Sequence, residues 1–118
     1  IKCETNVGQA LKAAKEFNIS VLLKGANSIV ADNKKAWQIF GTDSQTARAG
    51  LGDLLSGFLA GSSAIDLTFS RNITTELFAK YTLLHSYASS KCKTGSNAHD
   101  IGYELSKLMR NRKMREIC

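Results

Sequence analysis

The stretch Ala47-Arg48-Ala49-Gly50-Leu51-Gly52-Asp53-Leu54-Leu55-Ser56-Gly57 lies near the middle of the chain. Small residues and two close glycines lead straight into an apolar segment, with Leu54, Leu55, Phe58 and Leu59 recurring on one helical face. That pattern is a loop opening a helix, whose first-turn N–H groups lack an intrahelical acceptor. Gly50 and Gly52 tolerate unusual backbone angles and let a ligand come close to the main chain. The positive end of the helix dipole adds to those donors, so Gly50, Leu51 and Gly52 read as an anion site suited to phosphate. Asp53 has two readings. It is a carboxylate placed to take a proton from a hydroxyl beside that phosphate, or an acidic residue of the kind favoured in any first helical turn.

Upstream, helix and strand patterns alternate. Val7, Leu11, Ala14 and Phe17 recur at helical spacing, which predicts a helix over 5–17 that stops at Asn18. Ile19-Ser20-Val21-Leu22-Leu23 is a short apolar run of strand type, closed by Lys24-Gly25. Ser28-Ile29-Val30-Ala31 follows as a second strand, Asp32-Asn33-Lys34 as a polar turn, and Ala36-Trp37-Gln38-Ile39-Phe40 as a third strand. This is the order of an α/β layered fold, where ligands gather at the carboxyl ends of strands. Lys24-Gly25 and the loop after Phe40 stand at such ends, so 24–28 and 41–52 are expected to line one cleft.

Downstream, the patterns are helical. A short helix is expected over 54–60, closed at Gly61 and followed by a connector at 62–66. A long helix runs from Asn72 or Thr74 to about Ser90, with Leu77, Phe78, Tyr81, Leu84 and Ala88 inward and His85 among them. A histidine on such a face reads as a hydrogen-bonded core residue in preference to a ligand contact. Gly95-Ser96-Asn97 is a break, and a last helix over 100–110 turns Ile101, Leu105 and Leu108 inward.

The 118 residues suit one small domain with a real core. No apolar run approaches the ~20 residues that span a bilayer, and no signal-peptide pattern is present, so no membrane partner and a cytoplasmic setting are expected. Cys3, Cys92 and Cys118 are odd in number and far apart, match no metal-ligand spacing, and are expected as free thiols. Much of the formal net charge of +6 sits at the end, on Lys107, Arg110, Arg112, Lys113 and Arg115. No aromatic residues interleave with them for base stacking, so they read as a solvated helix end and nucleic acid is not an expected partner. The chain opens on Ile1 and enters a helix-like start at once, which reads as part of a longer or processed polypeptide.

Two segments together carry a resemblance. Val21-Leu22-Leu23-Lys24-Gly25-Ala26-Asn27-Ser28-Ile29-Val30-Ala31-Asp32, followed by Ala47 to Gly57, resembles the carbohydrate-kinase-like NAD(P)H-hydrate dehydratases, and Leu84-His85 resembles the Leu-His pair of their later helix. The resemblance implies a three-layer α/β/α ribokinase-like fold, with 1–118 as the C-terminal part of one such domain and its N-terminal part absent. It implies repair of hydrated NADH or NADPH, driven by ADP or ATP with Mg²⁺. Lys24, Gly25, Ala26, Asn27, Ser28 and Gly52 would contact the adenine nucleotide, and Asp53 would face the hydrated nicotinamide ring and act as the catalytic base. Leu51 stands where relatives often carry Ser or Thr, which removes one phosphate donor but leaves the backbone donors. A ribokinase-like kinase of a sugar or vitamin is the first alternative, and a non-catalytic nucleotide-binding fragment the second. A part-domain would also expose apolar surface and self-associate.

Overall fold

The structure, a computed structural model, describes residues 5–25, 27–40, 50–92 and 96–111. Among them, four helices and three strands run in the order α1 (Asn6–Phe17), β1 (Val21–Leu23), β2 (Ser28–Ala31), β3 (Ala36–Ile39), α2 (Leu51–Thr68), α3 (Thr75–Lys91) and α4 (Ala98–Arg110). The fold is mixed α/β.

Local chemistry sets most of the boundaries. The Thr5 hydroxyl accepts the Gly8 N–H at 3.0 Å and starts α1. Asn18 ends it in the left-handed region at φ 53, with its N–H on the Ala14 carbonyl. Between β2 and β3 the Asp32 carboxylate accepts the Lys34 and Lys35 N–H groups at 2.8 and 2.7 Å. Those bonds, from Lys35 first and then Lys34, hold the Asp32 carboxyl below its ordinary 3.8. Thr74 caps α3 through the Leu77 N–H, and Asn97 and Asp100 close a reciprocal capping box on α4.

The connections between strands are short, so the sheet is antiparallel, in the order β1-β2-β3. Leu23 pairs with Ile29 and Ser28 with Ile39. The end where β1 finishes is therefore also the end where β2 begins and β3 finishes. Alternation divides the side chains between two faces. Val21, Leu23, Ile29, Ala31 and Ala36 pack against Ala10 and Ala14 of α1. Leu22, Val30, Trp37 and Ile39 meet Phe78 and Ala79 of α3. Helices thus cover both faces. A second core joins Tyr81, Leu84 and Ala88 of α3 to Ile101, Leu105 and Leu108 of α4, with Leu51, Leu54 and Phe58 of α2 against it.

One expected boundary is wrong. Instead of a short helix ending at Gly61 and a connector over 62–66, α2 continues unbroken to Thr68. A helical glycine costs about 1 kcal/mol relative to alanine, which the later contacts of α2 outweigh. Ser62 and Asp66 are buried on the face continuing from Leu55, and Asp66 accepts the Tyr81 hydroxyl and the Arg71 guanidinium. The chain turns only after Thr68, where the Arg71 N–H bonds the Asp66 carbonyl. No helix among the described residues is long and apolar enough to cross a membrane.

Candidate functional site

The site grows from Gly50. It precedes α2 at φ 80, in the left-handed region that favours glycine, and offers no side chain to cap the helix. The Leu54 N–H bonds the Gly50 carbonyl at 2.9 Å. The N–H groups of Leu51, Gly52 and Asp53 precede the first intrahelical bond and have no intrahelical acceptor.

Lys24 reaches this turn from the end of β1. Its Nζ lies 3.1 Å from where a Cβ on Gly52 would sit, with its Cδ and Cε at 3.6 Å. A lysine ammonium therefore rests over the positive end of a helix. Lys24 has no ion-pair partner among the described residues. Like charge on like charge is unfavourable unless an anion joins them.

Beside this turn lies a cleft of about 170 Å³. The strand ends supply Lys24, Gly25, Ser28 and Ile39, and α2 supplies Leu51, Gly52 and Leu55. α3 completes it with Thr82, His85 and Ser86. The alternating strand directions bring the first group together, and the α3–sheet contact brings the rest. A cavity of about 280 Å³ between β1, β2, α2 and α3 is lined by Val21, Leu22, Val30, Leu59 and Phe78 with serines and an alanine. It brings no charge and nothing that would hold a phosphate.

His85 is only 6% exposed, and its Nε2 is buried with no hydrogen-bond partner among the described residues. Burial holds the imidazole below its ordinary 6.5, against a smaller opposing effect of the Leu51 backbone. An unsatisfied buried polar atom costs about 1–3 kcal/mol.

Of the residues expected at the site, Lys24, Gly25, Ser28, Leu51 and Gly52 line one cleft. Gly50 shapes the helix start. Asn27 is exposed at the β1–β2 turn and does not line the cleft. Asp53 is exposed too, and is likewise absent from the lining. Ala26 and the loop over 41–49 lie outside the described residues.

His85 is the lining residue that periodicity assigned to the core. The signal that could have found it is Thr82, His85 and Ser86, polar residues at helical spacing in an otherwise apolar stretch. Among the described residues no cluster of His, Cys, Asp and Glu is placed to hold a metal ion. Among the described residues the cleft lining contains no carboxylate to serve as a Mg²⁺ ligand. Comparison with protein-family models, with curated proteins and with solved structures finds no match.

Proposed function

We propose that the chain is the nucleotide-handling part of an ADP- or ATP-dependent NAD(P)H-hydrate dehydratase of the ribokinase-like class. The observation that carries this reading is the Lys24 ammonium lying over Gly52. It joins Leu-Lys-Gly-Ala and Gly-x-Gly-Asp, the two segments of the resemblance, at a single anion-binding turn.

The residues divide the work by their chemistry. The N–H groups of Leu51, Gly52 and Asp53 and the Lys24 ammonium bind the terminal phosphates and offset charge that develops during transfer. Ser28 donates its hydroxyl to the Gly25 carbonyl at 3.5 Å, which holds the β1–β2 turn against the cleft. Asp53 takes the proton from the ring hydroxyl of the hydrated nicotinamide. That oxygen attacks the terminal phosphorus, and the bond to the nucleotide's bridging oxygen breaks. Loss of the resulting phosphate with its C–O bonding pair, and of a proton from the neighbouring ring carbon to solvent, restores the ring double bond. No step is assigned to a metal.

A second reading is favoured by one observation: Asp53 is exposed and stands outside the cleft lining. On that reading the chain binds an adenine nucleotide without chemistry. Asp53→Asn in the full-length natural protein separates the two. Asn caps a helix about as well as Asp, so stability is expected to stay within about 1 kcal/mol. Loss of a general base is expected to lower turnover of hydrated NADH by about 10²–10⁴-fold, with ADP affinity kept. Unchanged turnover would remove Asp53 from the chemistry. Nucleotide binding with no turnover in the unsubstituted protein would establish the binding reading, and a phosphorylated product that accumulates would mark a kinase.

A further inference from the structure

The reading above uses Lys24 and the first turn of α2 and leaves His85 without a task. His85 lines the same cleft as Lys24, Leu51 and Gly52, with Nε2 buried and unpartnered among the described residues. Buried polar atoms in folded proteins are almost always satisfied. The surroundings do not satisfy this one. Thr82 donates its hydroxyl to the Phe78 carbonyl at 2.8 Å, and Ile39 and Leu55 bring only apolar groups.

What else meets at the cleft defines the chemistry of the missing partner. An ammonium with no ion pair among the described residues and a helix N-terminus both present positive potential there, so the partner is an anion that accepts hydrogen bonds. We propose that His85 is a ligand contact of this cleft, taking up a proton from solvent as a phosphate group binds and donating a hydrogen bond to that phosphate as the imidazolium. This rests on, and deepens, the reading of the cleft as a nucleotide-phosphate site.

Among the described residues, the charged and titratable groups on the elements around His85 supply no anion to drive its protonation, and the one favourable contact, from the Leu51 backbone, is outweighed by burial. β1 leads to Lys24, a cation that disfavours protonation of its neighbours. α2 carries Asp53, which is exposed, and Asp66, which is occupied by Tyr81 and Arg71. α4 carries His99 and Asp100, both exposed, Glu104 paired with Lys107, and Arg110 at its exposed end. On α3, Glu76 and Lys80 pair with each other, and Tyr87 and Lys91 are exposed. β2 and β3 bring no charge. Burial keeps the imidazole neutral in the free protein, and a phosphate in contact with it reverses that preference.

The test is calorimetric titration of ADP into the full-length natural protein in buffers of different ionisation heat, with the His85 imidazole followed by NMR. Uptake of about one proton per ADP near pH 7 is expected, together with conversion of the His85 signal to its protonated form. His85→Gln keeps a hydrogen-bonding group but cannot titrate in this range. It is expected to abolish the proton uptake and weaken ADP binding about tenfold.

The proposal is overturned if ADP shifts the Gly52 amide signal and leaves His85 neutral, or if His85→Gln takes up the same protons. If His85→Gln does not fold, the imidazole signal of the unsubstituted protein decides alone. Protonation of His85 on ADP binding without turnover of hydrated NADH would sink the dehydratase reading and support this one. Absence of binding by both ADP and inorganic phosphate would overturn both.

Discussion

Gly50 and Gly52 stand two residues apart and answer to different constraints, which a matched pair of alanine variants separates. Gly50 needs its left-handed backbone at φ 80, so Gly50→Ala is expected to destabilise the fold by about 1–2 kcal/mol in urea melts. Gly52 lies inside α2 with ordinary helical geometry, and only the flexible end of Lys24 opposes a Cβ there. Gly52→Ala is therefore expected to leave stability unchanged or raise it by up to about 1 kcal/mol. It should nevertheless weaken phosphate binding, because the new methyl group moves the Lys24 ammonium off the turn. Equal phosphate affinity in Gly52→Ala and the unsubstituted protein would show that the ammonium's position does not matter.

His85 has a pH signature of its own in the ligand-free protein. Its folded value lies below the ordinary 6.5 because burial disfavours the charged ring. The unfolded chain therefore binds a proton that the native state refuses. The resulting stability is fully present above about pH 6.5 and is lost as pH falls through the folded value. Denaturation at about pH 7.5 and about pH 5.5 is expected to show lower stability at the acid end, with a smaller difference in His85→Gln. The inward position of His85 was legible from the sequence, but its unpartnered Nε2 and the cleft beside it were not. Helical spacing marks which face is inward and cannot mark where packing against that face is incomplete.

At the scale of elements, α2 departs furthest from its local signals. Gly61-Ser62-Ser63 reads as a stop, yet the helix runs through it because Asp66 is anchored beyond. The Asp66 carboxylate sits in the last turn, where the helix dipole disfavours a negative charge. It is 2% exposed and depends on the Tyr81 hydroxyl and Arg71 to remain there. Tyr81→Phe removes one of those donors from a buried charge and is expected to cost about 1.5–3 kcal/mol. Arg71 is 66% exposed along its side chain, so Arg71→Ala is expected to cost no more than about 1 kcal/mol. Equal losses in urea melts would mean that the bond from Tyr81 does not anchor the end of α2. By contrast, α1, α3 and α4 begin at or near their expected places, because Thr5, Thr74 and Asn97 cap them with contacts three residues away.

At the scale of the molecule, the cleft draws on the sheet end, α2 and α3 together, so a ligand there bridges elements that otherwise meet through apolar cores and the Tyr81–Asp66 bond. ADP at about 100 times its dissociation constant is expected to add about 2.7 kcal/mol of stability. The gain should appear as a rise in Tm and as slowed amide exchange in β1, α2 and α3 together. Lys24→Ala should remove most of the rise. Protection confined to α2 would place the ligand outside the cleft.

Short-range signals were enough for the helix caps, the three strands, the turn at Asp32 and the glycine-led start of α2. Each depends on bonds within a few residues, and such bonds are written directly in the order of side chains. The end of α2, the exposure of Asp53 and the unpartnered Nε2 of His85 beside the cleft were decided only by tertiary structure. All three depend on how the sheet, α2 and α3 lie against one another. That arrangement is set by burial of Val30, Ile39, Ala79, Tyr81 and Leu84 in two cores, an effect summed over many distant contacts that no local pattern encodes.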